Sequence, residues 1–335
     1  MALLASRLAT VRARLAQHRR WWWLLLLGLA VACPFVVRTY FLSLAIEVLI
    51  FAMFAMSLDL LLGYTGLVSL GHAAFFGIGA YLVAYLSSRH ELALHLTSNL
   101  LLTLPAVAAG TALGAMLIGF FVLRTRGIYF LMVTLAVAQM LFSIAISWAH
   151  VTGGSDGLTG VPTAPTIALG PYGYEFASRE SFYFLTLGLF LIVFWLLRRV
   201  VDSPFGWTLR GIRENEARLS ALGYNTFRYK MQAYVIAAVV AGVSGAMLAH
   251  YFGIASPDDL YWSTSGEALI MVIAGGAGTL SGPVLGAATV RLLRNVASTY
   301  TERWETLVGL TFILFVVFAP RGLIGMLRGQ RARRE

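Results

Sequence analysis

The chain has 335 residues, 59% of them hydrophobic and only 12% charged, against about 25% charged in an ordinary soluble domain. Such a composition excludes a water-soluble globule, which could not cover that much apolar surface. The net charge of +10 does not mark a nucleic-acid-binding surface either, because the arginines lie in the connections between apolar runs.

Those runs recur along the whole length, and each is long enough as a helix to cross a hydrocarbon core of roughly 30 Å. They are continuous, as in WWWLLLLGLAVACPFVV and FILFVVFAP. Barrel strands would alternate apolar and polar residues, so helices are the way this backbone is satisfied in lipid. The sequence therefore predicts an all-α, polytopic membrane helix bundle of about ten transmembrane helices, near 21–37, 41–62, 67–87, 99–123, 128–148, 181–197, 231–252, 264–280, 283–299 and 305–320. Arg7, Arg12, Arg14, Arg19 and Arg20 precede the first span, and Arg321, Arg328, Arg331, Arg333 and Arg334 follow the last. Positive charge marks the inner face, so both termini are expected in the cytoplasm. The domains predicted are a basic segment 1–20, a transmembrane domain 21–320 and a basic tail 321–335.

Ala30-Val31-Ala32-Cys33 loosely imitates a lipoprotein cleavage box, but an uncleaved first helix is the simpler expectation. Cys33 is the single cysteine, which precludes an intramolecular disulfide. The second span carries Glu47 and Asp59 and the eighth carries Glu267. Ionisable residues inside a membrane are costly and hence functional candidates. Asp59 is expected to reach water or a basic loop residue, and Glu47 and Glu267 to sit at the outer rim. In the fifth span Thr134, Gln139 and Ser143 offer uncharged polar groups, either to a small polar solute or to neighbouring helices.

The connection 149–180 is dense in Gly, Pro, Ser and Thr, so turns and irregular structure are expected there, on the outer side. The connection 198–230 is basic and reads as helical. Ser203 caps it, Pro204 opens it and Gly223 stops it, with a break expected at Gly206 or Gly211. Ile212, Leu219 and Leu222 fall near one face, and Glu214 and Arg218 are spaced for an i,i+4 pair. An amphipathic helix on the membrane surface would be mostly basic on its polar face. Here Glu214 and Glu216 are mixed among the arginines, which favours a protein partner. Spans eight and nine are short and glycine-rich, so one is expected to be re-entrant or interfacial, with Arg291 and Arg294 snorkelling to the headgroups.

Catalytic motifs are missing. Lys230 is the single lysine and opens a span, so no Walker A site is possible. The six histidines are scattered, no zinc spacing occurs and there is no G-x-S-x-G elbow. No catalytic residue, metal or cofactor is assigned. Two glycine-rich stretches interrupt the spans, GYTGLVSLGHAAFFGIGAY at 63–81 and GGAGTLSGPVLGA at 275–287. Small residues permit close helix packing, and broken spans in two parts of a transporter also point to its binding site. Tyr64, Thr65, Ser69 and His72 put polar atoms at the first break, and with Thr134 and Gln139 they are the candidates for a substrate path.

GLVSLGHAAFFGIGAY, RGIYFLMVTLAVAQM, TGGSDGLTGVP, SPFGWTLRGIRENEARLSALGYNTFRYK, GGAGTLSGPVLGA and FAPRGLIG, in order from about residue 40 to 326, together resemble permeases of the branched-chain amino acid ABC importers. The resemblance implies a permease in the bacterial inner membrane, working by alternating access. It implies as partners a second related permease subunit, two cytoplasmic ATPase subunits and a periplasmic solute-binding protein, with no nucleic acid. It also implies that Ser203 to Tyr229 docks an ATPase, Glu216-Ala217 and Gly223 being similar to the docking loop of such importers, with Arg213, Glu214 and Arg218 beside them. Relatives carry leucine, isoleucine and valine, and similar permeases serve other small solutes. Two rivals stand against this reading. One is a secondary transporter in which Glu47, Asp59 or Glu267 carries protons or ions; the other is a membrane-embedded enzyme.

Overall fold

The computed structural model describes residues 37–88, 93–94, 96–169 and 172–300, and beyond these residues 28, 30–32, 34–35, 306, 309–310, 313 and 322–325. The expected basic segment 1–20, most of the first and last spans and most of the tail 321–335 lie outside the described residues. Helix α1 (Thr39–Asp59) runs on as a π-helical turn (Leu60–Thr65), followed by α2 (His72–Ser87), α3 (Leu100–Val122) and α4 (Ile128–Ser147). After the short α5 (Ala149–Thr152) come β1 (Leu158–Thr159) and a hairpin of β2 (Thr166–Leu169) and β3 (Tyr172–Glu175). Then follow α6 (Arg179–Val201), α7 (Pro204–Ala221), α8 (Thr226–Phe252), β4 (Ile254–Ala255), α9 (Trp262–Gly275) and α10 (Ser281–Tyr300).

A helix falls on each expected span from the second to the ninth. Five helices among the described residues are long and apolar enough to cross a membrane: α1 with its π turn, α3, α4, α6 and α8. Helices α2 and α9 have 16 and 14 residues, about 24 and 21 Å at 1.5 Å per residue, and each begins or ends at one of the glycine-rich breaks.

Burial sorts the helices into an interior and a shell. From Ile50 in α1 to Leu61 in its π turn every residue is buried, as expected of a helix that is mostly apolar all round. By contrast, α3 and α4 present Leu117, Phe121, Ile128 and Tyr129 outward, each at least 69% exposed; in an aqueous protein such a surface would be a liability, and in a membrane it faces lipid. Inside, α2 and α8 approach through small residues. A Cβ on Gly79 would overlap the Gly242 carbonyl, and one on Gly245 the Phe76 carbonyl. Backbones this close gain dispersion contacts that larger side chains would prevent.

The connections gather at two ends. At one, Glu216 of α7 faces Arg126 between α3 and α4, Arg213 donates to the Gly63 carbonyl and Asp59 holds the turn between α9 and α10. At the other, β1 pairs with β4 in the register Leu158↔Ala255, and His250 Nδ1 donates to the Pro162 carbonyl at 2.8 Å. The 149–180 connection is thus more ordered than its composition suggests. Gly153, Gly154 and Gly157 adopt positive φ and turn the chain back so that its strand meets β4.

Gly245→Ala is expected to lower stability by about 1–3 kcal/mol through overpacking, read as a drop in melting temperature of the detergent-solubilised protein. Gly188→Ala on α6, where a Cβ meets nothing, is the control expected to leave it unchanged.

Candidate coupling surface and substrate path

The first glycine-rich stretch is a broken helix. After the π turn, Gly66 takes a left-handed conformation (φ 78°) and the chain crosses to α2. The segment 67–71 rests on α4 at Thr134, whose hydroxyl accepts from the Leu70 N–H at 3.2 Å and donates to the Leu131 carbonyl at 2.9 Å. Ser69 is wholly buried, and its hydroxyl accepts from the Gly71 N–H at 3.3 Å. His72 Nε2 lies 2.7 Å from the Ser57 hydroxyl, which is itself 2.6 Å from the Phe54 carbonyl. That carbonyl can only accept, so the serine proton goes to it and His72 donates from Nε2. The imidazole stacks on Phe54 with an interplanar angle of 11° and is fully enclosed.

Ser69 and Thr134 therefore both serve the 67–71 loop and His72 follows it with its ring turned to α1, while the other candidates do not join them. Thr65 donates to the Leu60 carbonyl at 2.9 Å and closes the π turn. Tyr64 lines a separate cavity of about 270 Å³ with Arg198, Asp202 and Arg210. Gln139 lies apart on α4, its Oε1 buried without a hydrogen-bond partner among the described residues. Ser143 is exposed.

The second glycine-rich stretch meets the first. Asp59 Oδ1 accepts from the Gly278 N–H at 2.7 Å and Oδ2 from the Leu280 N–H at 3.2 Å, and the side chain is fully buried. Asp59 does not reach water, the first alternative expected: its hydrogen-bond donors are backbone amides of the turn 276–280, where Gly276, Gly278 and Leu280 all have positive φ, and Arg213 of the basic connection acts on it through its charge alone. A Cβ on Gly63 would overlap the Gly278 backbone, so the two breaks touch through glycines. Among the described residues no group of three His, Cys, Asp or Glu gathers as a metal site.

One further correction concerns the arginines of the other half. Glu47 and Glu267 stand beside them. They converge on α10, with Arg294 Nη1 donating to Glu267 Oε2 at 3.3 Å and Arg291 lying 3.7 Å from Glu267 and 3.9 Å from Glu47. Arg291 does not snorkel: it is 6% exposed and lies 3.2 Å from the centroid of the Phe51 ring. Two acids inside the bundle neutralise it there, which a headgroup would otherwise have to do.

Helix α7 starts as its sequence predicts, with Ser203 Oγ accepting from the Gly206 N–H and Pro204 in the first turn. It ends as predicted too, since Gly223 has φ 88° and the Tyr224 N–H closes on the Leu219 carbonyl at 3.2 Å. The break, however, is at Asn215 and not at Gly206 or Gly211. Asn215 is extended, and its Oδ1 accepts from the Arg218 N–H at 2.9 Å, so it caps a second short helical segment. The break carries Leu222 off the apolar face: Ile212 is buried, whereas Leu222 is 69% exposed. It also separates Glu214 from Arg218, and no ion pair joins them among the described residues.

Glu216 turns inward. Its Oε1 lies 2.7 Å from Lys230 Nζ and accepts from the Thr226 hydroxyl at 3.0 Å. Partial burial pushes this carboxyl upward, but the bond and charge of Lys230, helped by Thr226 and Arg126, outweigh it and hold the group below the usual glutamate range. Glu214, Ala217, Arg218 and Gly223 remain on the surface, flanked by exposed Trp207 and Tyr224. Arg210 stacks between Trp207 and Tyr64, at 4.6 and 5.3 Å from the ring centroids. The contributions of Lys230, Thr226, Arg126 and Asn215 are absent from the sequence reading. A lone lysine at the mouth of an apolar span was the signal for an acid in the adjoining polar segment, because the residue is only 4% exposed and its charge requires one.

Asp59→Asn leaves one acceptor oxygen for two backbone donors. It is expected to cost about 1–3 kcal/mol and to speed hydrogen exchange at Gly278 and Leu280; unchanged exchange there would mean that the turn is held by something else. Glu216→Gln is expected to cost about 1.5–3 kcal/mol by leaving Lys230 without a counter-charge, with Lys230→Met restoring part of the loss. Because the folded carboxyl titrates below the unfolded value of about 4.3, its contribution is full above that pH and is lost as pH falls through the lower folded value. Exchange rates across 216–226, measured against pH, report it.

The family described as "Branched-chain amino acid transport system / permease component" matches residues 40–318. The chain is 28% identical to the high-affinity branched-chain amino acid transport system permease protein LivM of Salmonella typhimurium, over 91% of this chain and 75% of that protein. Identity and coverage are the same for LivM of Escherichia coli K12. The permease protein LivH of Escherichia coli K12 is 27% identical over 37% of this chain and 40% of its own length. No solved structure matches the chain. The match takes in both glycine-rich breaks, α7 and every long apolar helix described above, and the chain therefore belongs to the branched-chain amino acid transport permeases, the membrane-embedded and non-catalytic subunits of ABC importers.

Proposed function

We propose that the chain is the translocating subunit for branched-chain or related small amino acids in the bacterial inner membrane, crossing it ten times with both termini in the cytoplasm. A second, LivH-like permease completes the pathway, two ATPases drive it from the cytoplasm, and a periplasmic binding protein delivers the solute. The family match across residues 40–318 carries this reading. Matches to both LivM and LivH favour a heterodimer, and the grouping of α7 with the Arg124–Arg126 connection favours a cytoplasmic face there.

The docking surface proposed is the exposed side of the second segment of α7: Glu214, Ala217, Arg218 and Gly223, with Leu222 and Tyr224 as apolar anchors. Glu216 and Arg213 serve it from behind. Glu216 fixes the segment to α8, and Arg213 reaches the Gly63 carbonyl beside the two breaks. Motion of α7 would thus be passed to the broken helices, around which the Ser69–His72–Thr134 loop is the proposed substrate-path element. Tyr64 and Thr65 would belong to the relay between the two and Gln139 to the opposite part of α4.

Ala217→Arg combined with Leu222→Glu is expected to reduce ATPase co-purification roughly tenfold or more while leaving the melting temperature of the isolated chain unchanged. Full ATPase retention would remove α7 as the docking element. Solute uptake by the reconstituted complex should require ATP. Uptake that persists without nucleotide and collapses with an ion gradient would favour the secondary-transporter reading instead.

A further inference from the structure

Between α1, α9 and α10 lies a cavity of about 350 Å³ that the reading above leaves unused. It opens in the half of the bundle remote from α7, since α8 starts beside α7 and ends at Phe252, which lines this cavity. We propose that it is a binding site for the zwitterionic head of an α-amino acid, with Arg291 and Arg294 taking the carboxylate and Glu47 and Asp258 the ammonium. The proposal rests on the reading that the chain carries a small amino acid and adds the place and chemistry of its recognition.

The state of Arg291 is the reason. A guanidinium has five N–H donors in a fixed fork, and here it is 6% exposed and lines the cavity. Its nearest acids stand at 3.7 and 3.9 Å, which is charge proximity without hydrogen bonding. Arg291 Nε has no hydrogen-bond partner among the described residues, and neither has Glu267 Oε1. Donors left open on a buried cation are costly, and a planar carboxylate arriving through the cavity matches their geometry in a way that a third acidic side chain at this distance does not.

The lining carries both signs, which decides the class of ligand. A simple anion would be repelled by Glu47, Asp258, Asp259 and Glu267, and a simple cation by the two arginines. A molecule with a carboxylate and an ammonium on one carbon meets both. Phe51, Leu248 and Phe252 complete the wall and give an aliphatic side chain an apolar surface to lie against.

The test uses the purified full-length chain in detergent, with Cys33→Ala to remove the native thiol and Ser298→Cys to place one at the cavity rim. Maleimide labelling of that thiol is timed with L-leucine, with 3-methylbutylamine, which lacks the carboxylate, and with 4-methylpentanoate, which lacks the ammonium. Leucine is expected to slow labelling several-fold and neither analogue to do so, with protection lost in Arg294→Gln and in Glu47→Gln. No protection by leucine, or equal protection by either analogue, overturns the site; both comparisons are made on the native charge set, so they stand even where a charge variant misfolds. The importer reading fails separately, by ATP-independent uptake in the reconstituted complex. A chain protected by leucine in such a complex keeps the site and loses the importer, and an ATP-driven leucine importer without protection does the reverse.

Discussion

Within a membrane no water is available to an unpaired backbone group, so a helix can break only where something in the protein takes over its hydrogen bonds. In this chain Asp59 does so. One carboxylate receives two amides of the turn joining α9 to α10, and four residues along the same helix Gly63 lets that turn pack against the π segment. The first break needs the second to seat it, and the second needs an acid from the first helix. An ionisable residue in a span is costly on its own, but as the acceptor for a folded-back turn it makes the irregular backbone possible.

The same junction connects the polar helix outside the bundle with the helices inside it. Arg213 of α7 reaches the Gly63 carbonyl, so α7 touches the glycine that touches Gly278. On the other side of α7, Glu216 is bonded to Lys230 and Thr226 at the start of α8, and α8 is the interior helix that packs on α2 through Gly242 and Gly245. On the proposed reading, a partner pulling α7 therefore has two routes into the bundle. One is the carbonyl at the break and the other is a part-buried ion pair at the root of a long helix. The broken helices are where small displacements would be absorbed, because left-handed glycine turns yield more readily than continuous helix.

How far the sequence goes depends on the range over which each feature is determined. Continuous apolar runs set the helices, and caps such as Ser203 and stops such as Gly223 act over a few residues, so the limits of α7 were legible. The break at Asn215 was not, because Asn215 leaves the helix to cap Arg218 within a segment where two glycines looked weaker. Partners of charged groups were least legible. Asp59 and Gly278, or Arg291 and Glu47, are separated by hundreds of residues, and spacing along the chain says nothing about which acid faces which donor. Of the substrate-path candidates, Ser69 and His72 are three apart, and only the fold brings Thr134 to the Leu70 amide between them.

The two buried cations show how the same chemistry serves different ends. Lys230 sits 2.7 Å from Glu216 Oε1, at full hydrogen-bond contact, with Thr226 donating to the same oxygen. An arrangement with its donors and acceptor matched resists displacement, as the root of a lever must. Arg291, no more exposed in any functional sense, has two acids near it and bonds with neither. A network made only to hold helices together would gain by closing those gaps of 3.7 and 3.9 Å, since charge-assisted hydrogen bonds strengthen as they shorten. Glutamate and arginine side chains are long enough to close them, and they remain apart around a cavity. A ligand that must enter and leave is better served by a site of that kind, whose own charges are balanced at a distance and can be exchanged for the ligand's without first breaking a tight bond.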